Sequence, residues 1–220
     1  MTQSSNEYNN KAWSFLKSFK GDALINLVAI DPLPLQAAPS SVETNKSLVI
    51  GITDNVTARR VFDFIEEHNG KHNLYFMVNT PSSDAPDNKL KKEHVEFINA
   101  VWIDADPIKD KTFKEERKRL KTLMTKLKDE QNPPTFIIDS GGGYQAFWCL
   151  KEPVKLTDES QKLYEGYSRA LAEKYDTDRV QNIDRIMRVP YTWNIPTKKK
   201  LDLGRTKALS CYAETGGRYE

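Results

Sequence analysis

Residues 101–107 read VWIDADP, an apolar run that turns acidic and stops at a proline. Extended to 96–106 (EFINAVWIDAD), it has the length and the β-branched and aromatic content of a buried strand. On a strand, residues two apart share a face, roughly 6.6–6.8 Å apart along the axis. Trp102, Asp104 and Asp106 therefore lie on one face, and Val101, Ile103 and Ala105 on the other. Two carboxylates so placed repel, and partial burial makes the repulsion worse. A hard divalent cation, Mg²⁺ or Mn²⁺, relieves it. Pro107 cannot donate to a ladder and suits a strand end where a site opens. Taken alone, the same pair also reads as a strand cap or turn start, so its meaning depends on its company.

Working outward, apolar runs at 23–31, 48–53 and 73–79 read as strands, and ALSCYAE (208–214) as a closing strand. KAWSFLKSF places Trp13, Leu16 and Phe19 at helical spacing, and 55–70 carries Ala58, Val61, Phe62 and Ile65 on one stripe before Asn69-Gly70. Thr112 and Glu115 have capping-box spacing ahead of a charged helix with Phe113, Leu120, Met124 and Leu127 inward. A later helix over 158–175 sets Leu163, Tyr167, Ala170 and Leu171 inward. Residues 1–10 are polar and expected to fray, and the Pro- and Ser-rich 32–47 reads as a surface loop. His68 and His72 flank a helix stop and read as surface residues. Strands alternating with helices and hairpins argue for an α/β or α+β fold around a mixed sheet.

The chain has 220 residues, enough for one large domain or a domain with a small appendage, and its 38% apolar and 29% charged content is ordinary for a globular protein. Its net charge of +2 means that any surface for a polyanion must be local. Cys149 and Cys211 have neither metal spacing nor a disulfide framework, and no run reaches the ~20 apolar residues of a membrane helix. MTQSSNEYNN lacks the parts of a secretory signal. The expected location is the cytoplasm, with no membrane partner.

Two further clusters accompany the acids. SGGGYQAFW (140–148) joins two strands through three glycines, and successive N–H groups of Ser140, Gly141, Gly142 and Gly143 suit phosphate oxygens. No Lys-Ser/Thr follows, so this is not a Walker A loop. Gln145 is a polar residue on an apolar strand at the hairpin mouth. YDTDRVQNIDRIMRVPYTWNIPTKKK (175–200) brings Asp178 and Asp184, either of which can supply a third carboxylate. Its Arg185 and Arg188 carry forked donors for phosphate, and Lys198, Lys199 and Lys200 with Arg205 suit a polyanion. The bland readings are a hairpin that needs glycine only to turn and a solvated, salt-bridged segment.

Together, the order D-x-D, S-G-G-G-x-Q, then acids, R-x-x-R-x-P and Asn resembles the archaeo-eukaryotic primase superfamily of primase-polymerases. YQAFW and YDTD (175–178) make the RepB-like primase domains of plasmids and phages the nearest match, over roughly residues 95–205. Two positions depart from the pattern: Gln145 stands where the superfamily commonly has His, and Tyr191 where it has Gly. The resemblance implies a single primase-polymerase domain over 1–220, with an N-terminal α/β lobe (1–95) and a catalytic core like an RNA-recognition motif (96–215). It implies Asp104, Asp106 and Asp178 as catalytic metal ligands, Asp184 as the rival third. It also implies nucleotide or template contacts from Gln145, Arg185, Arg188 and Asn194. The implied reaction is primer synthesis on single-stranded DNA from nucleoside triphosphates with two Mg²⁺ or Mn²⁺ ions, in phage or plasmid replication within a bacterial host cytoplasm. A helicase would lie on another chain or in a missing C-terminal region. Two other classes remain. One is a non-catalytic single-strand binder using Tyr144, Trp148 and Trp193 as stacking faces; the other is a metal-dependent nuclease.

Overall fold

The structure, a computed structural model, describes residues 3–32, 48–108 and 111–220. The loop expected over 32–47 therefore falls almost wholly outside the described residues. The first sheet has the order β2 (Val49–Asn55), β1 (Leu24–Ile30), β3 (Asn73–Met77), β8 (Ile186–Arg188). The second has the order β11 (Cys211–Glu214), β6 (Phe136–Asp139), β7 (Tyr144–Lys155), β5 (Val95–Ala105), β4 (Thr80–Pro81). Each sheet thus draws strands from both sides of residue 95.

Helix α1 (Gln3–Lys20) packs Ala12, Phe15, Leu16 and Phe19 into the core that the two sheets share. That spacing of three and four residues is the stripe expected of an amphipathic helix. The same core holds Phe76 of β3, Trp102 of β5, and Phe136 and Phe147 of β6 and β7. Asn9, in the second turn of the helix, is buried and accepts a hydrogen bond from Asn69 Nδ2 at 2.8 Å. Residues 3–10 are helical, not frayed. Helix α2 (Arg59–His68) buries Val61, Phe62, Phe64 and Ile65, and also His68, whose Nδ1 lies 3.3 Å from that of His72. His68 is thus a core residue, with burial lowering its pKa.

Helices α3 (Phe113–Lys128) and α4 (Asp158–Tyr175) share a cluster on the other face of the second sheet with Ile103, Ala105, Ile137, Ala146 and Trp148. The run β5-α3-β6-β7-α4, with strand order β6-β7-β5, is the arrangement the resemblance implies. Every ladder in both sheets is antiparallel. The β5-α3-β6 crossover does return β6 parallel to β5, but the β6–β7 hairpin inserts β7 between them. The α+β class holds, with antiparallel sheets in place of a mixed one.

The capping box of α3 forms as its spacing predicts: Glu115 N donates to Thr112 Oγ1 at 3.3 Å and Thr112 N to Glu115 Oε2 at 3.1 Å. The helix buries Leu120, Met124 and Leu127, yet Phe113 is only half-buried, and Glu116, from the charge run, is fully buried. In α4 the inward stripe is Ser168 and Ala172 with Leu171 and Tyr175, while Leu163, Tyr167 and Ala170 face water. Small side chains let this helix sit close to the sheet, and Ser168 Oγ accepts from the Trp102 amide at 3.3 Å. Beyond β8, the short strands β9 (Trp193–Asn194) and β10 (Ala208–Leu209) pair around α5 (Lys198–Asp202).

Candidate active site

Strand β5 delivers Asp104 opposite Gln145 on β7, and Asp106 follows at its open end. The third acid comes from the end of α4. Asp176 takes the left-handed conformation there (φ 49), turning the chain back as the Thr177 amide donates to Ala172 O. The Asp178 amide then donates to Asp104 O at 3.0 Å, and the Asp106 amide to Asp178 Oδ2 at 3.2 Å. Of the two acids left open by the sequence, Asp178 is the one brought against the pair. Asp184 is used within its own loop, where Oδ1 accepts from Asn182 Nδ2 at 2.9 Å.

The Asp104 side chain is 15% exposed. Its Oδ2 accepts from Arg185 Nη2 at 2.8 Å and its Oδ1 from Gln145 Nε2 at 3.3 Å. Burial raises its pKa and Asp106 adds to the rise, while Arg185 and Gln145 oppose it. Asp178 is also raised, chiefly by lost hydration, against the hydrogen bond from the Asp106 amide. Three carboxylates with an all-oxygen donor set suit Mg²⁺ or Mn²⁺ in chemistry. In the arrangement present, however, no three acidic, His or Cys side chains among the described residues stand close enough to hold an ion. Both oxygens of Asp104 are already engaged.

Gln145 is buried, and its Oε1 accepts from the Arg188 amide at 3.0 Å. It ties Asp104 to β8. The glycine turn differs from the expected phosphate cradle. Gly141 N donates to Asp139 Oδ1, and Gly142 N and Gly143 N both donate to Ser140 Oγ. Side-chain acceptors two or three residues away have captured these amides, as Ser and Asp do in turns. The glycines serve close approach instead. A Cβ on Gly143 would lie 2.6 Å from Asp106 Oδ1 and nearer still to Ala105 O, so glycine is what lets Asp106 sit against the hairpin. Gly141 has φ +77, and a Cβ there would strike Ala208.

Arg188 is buried with neutral partners: Nη1 donates to Asn73 Oδ1, and Nη2 to Tyr75 OH and Asn194 Oδ1. Asn194 Nδ2 in turn donates to Ser140 O at 2.7 Å. Arg188 and Asn194 thus brace the hairpin against β3. Tyr191, at the position where the resemblance expects glycine, has φ 60, the conformation glycine favours.

Asp106 and Asp178 line a cleft of about 1520 Å³ between α3 and α5. Its cations include Lys199, Lys200 and Arg205 from the expected basic run. Arg205 Nη1 stands 3.9 Å from Asp106 Oδ1. Lys200 is pushed below the ordinary lysine range by lost hydration, Asp106 opposing and Arg205 and Arg188 adding to the fall. Lys198 is exposed on α5 outside the cleft lining. The opposite wall, from α3, was hidden in the charge run: Lys111, Phe113, Lys114, and Arg119, which is clamped onto Glu116. The one available signal was Phe113, an aromatic at a helix start with cations around it; it lies 5.6 Å from the Arg205 guanidinium. The expected stackers are elsewhere. Tyr144 is 7% exposed with Arg117 over its ring. Trp148 is equally buried, and Trp193 packs by Gly70 and Lys207.

The chain superposes on the crystal structure of the primase RepB′ with a TM-score of 0.59 at 12% identity, covering 96% of this chain and 58% of that one. It superposes equally on the catalytic domain of primase RepB′ in complex with initiator DNA: TM-score 0.59, 13% identity, 96% of this chain and 87% of that one. The chain shares the fold of those two structures. The chain spans a little over half the length of the first of these proteins. No family model and no curated protein sequence matches it. Among the described residues, no helix is long and apolar enough to cross a membrane.

Proposed function

We propose that this chain catalyses template-directed nucleotidyl transfer, making primers on single-stranded DNA from nucleoside triphosphates. The observation that carries the reading is the meeting of Asp104, Asp106 and Asp178, from two separate segments, with Asp106 and Asp178 lining a cleft that also holds Lys111, Lys114, Lys199, Lys200 and Arg205. Asp106 and Asp178, with Asp104, are the residues to hold Mg²⁺ or Mn²⁺. When bound, such ions acidify a 3′-hydroxyl and neutralise the charge on the transferring phosphoryl and the departing pyrophosphate.

This chain's own side chains do the positioning. Lys200 and Arg205, on the Asp106 side of the cleft, take triphosphate oxygens. The α3 wall, with Lys111, Lys114 and Phe113, carries the template strand by phosphate contact and base stacking. Gln145, Arg188 and Asn194 hold the hairpin and Asp104 in register from behind. The RepB′ domain crystallised with initiator DNA supports a DNA partner here.

The test is a primer-synthesis assay on single-stranded DNA with ribo- and deoxyribonucleotides compared. The expected result is incorporation that requires divalent metal and is lost in Asp104→Ala and Asp106→Ala. Probe binding without incorporation would identify a binding module, and template degradation a nuclease.

A further inference from the structure

Asp104 already has a cation. Arg185 reaches it from the start of β8 through a single hydrogen bond, Nη2 to Oδ2 at 2.8 Å. The rest of the guanidinium is poorly held: Nε is buried without a partner among the described residues, and the side chain is 30% exposed. The backbone beneath it is fixed, with the Arg185 amide donating to Asn182 O and Arg185 O accepting from the Val78 amide. A rigid stem therefore carries a head held at one point, beside a carboxylate that is only 15% exposed. Among the described residues, no three acidic, His or Cys side chains converge on one point.

We propose that Arg185 is a resident counter-cation on Asp104 that a divalent ion displaces. The proposal rests on the nucleotidyl-transfer reading. In the metal-free protein the guanidinium neutralises Asp104 and keeps three acids folded side by side. Arrival of the ion exchanges one cation for another: Oδ2 leaves Nη2 for the metal, no proton moves, and the freed guanidinium turns toward the cleft. Arg185 acts as a positioning residue that sets how tightly the metal is held, so that loading occurs only where an ion outcompetes it.

The experiment is a Mn²⁺ titration, followed by electron paramagnetic resonance, of the wild type, Arg185→Met and Arg185→Lys. A hydrogen bond to a charged group is strong enough that its removal from the competing side should tighten Mn²⁺ binding about tenfold in Arg185→Met. Arg185→Lys, which keeps a cation, should stay near the wild type. Wild-type protein supplies a second reading that needs no variant: the Arg185 Nε–H resonance should move with Mg²⁺ along the same saturation curve. Equal or weaker Mn²⁺ binding in Arg185→Met, or an Arg185 resonance that ignores Mg²⁺ while the protein saturates, overturns the inference and leaves the reading of the site intact. Absence of Mn²⁺ binding in the wild type and both variants overturns the two together.

Discussion

Replacing Gly143 by alanine isolates one contact on which the site is built. The backbone there does not need a positive φ, so alanine adds only a methyl group. That methyl would lie 2.6 Å from Asp106 Oδ1 and 3.1 Å from Asp106 Cα, and closer to Ala105 O, where ordinary contact begins at 3.4 Å. Two of these atoms are backbone at the end of β5 and cannot swing aside, so strand and hairpin must part. Overpacking of this kind costs about 1–3 kcal/mol, which for a chain of this size lowers Tm by roughly 2–12 °C. A shift of about 1 Å in a catalytic group can reduce rate ~10²-fold, so primer synthesis should fall far more than the population of folded protein. Gly142→Ala is the control. Its methyl would meet side-chain ends of Arg205, Asn194 and Ser140 at 3.2, 3.4 and 3.8 Å and no backbone of β5, so strand and hairpin stay together and Tm should fall less than in Gly143→Ala. The assay is nucleotide incorporation on single-stranded DNA beside thermal melts of the two variants. An active Gly143→Ala with an unchanged Tm would refute the claim that glycine is there to admit Asp106.

The remaining predictions concern separate parts of the molecule. Asp178→Asn should reduce incorporation at least ~10²-fold, the scale of a displaced catalytic group, whereas Asp184→Asn should stay near the wild type; equal losses in the two would undo the choice of third acid. Lys20 is buried, donating to Val78 O at 2.5 Å, and burial holds its pKa well below 10.5. Below 10.5 the unfolded chain binds the extra proton, so stability should climb as pH rises from the depressed pKa toward 10.5. Urea melts should show that slope in the wild type and a flatter one in Lys20→Met. Phe113→Ala should weaken binding of a single-stranded oligonucleotide about tenfold, as loss of one stacking face does, with anisotropy as the readout and a nearly constant Tm.

Much of the fold was legible because burial writes periodicity into the chain. The strands at 24–30, 49–55, 73–77 and 95–105 stand where apolar runs lie, and Thr112 with Glu115 announced the start of α3. The placement of Gln145 followed from alternation along β7. Three misreadings share a cause, since each depended on what a side chain meets in space. The amides of the glycine turn looked free until Asp139 and Ser140 were seen to take them. Helix α4 was set one position out of phase because Leu163 and Tyr167 are more apolar than Ser168 and Ala172, which the sheet prefers for closeness. Glu116 is indistinguishable in a run of charges, although Arg119 and the Ile108 amide hold it buried beside the cleft. The α3 wall of the cleft was missed for the same reason. Asp178 was favoured from the YDTD match, and the turn at Asp176 that presents it is a property of the folded helix end.

The exchange of strands between the two sheets has a further meaning. Strand β8, drawn from late in the chain, finishes the early sheet, and β4, from early in the chain, finishes the late one. A cut near residue 95 would leave each sheet with an unfinished edge. The acids stand beside this stitching, Asp104 linked through Gln145 to β8. Loosening of either sheet would therefore be felt at the carboxylates early, and the chain must be whole before it can gather them.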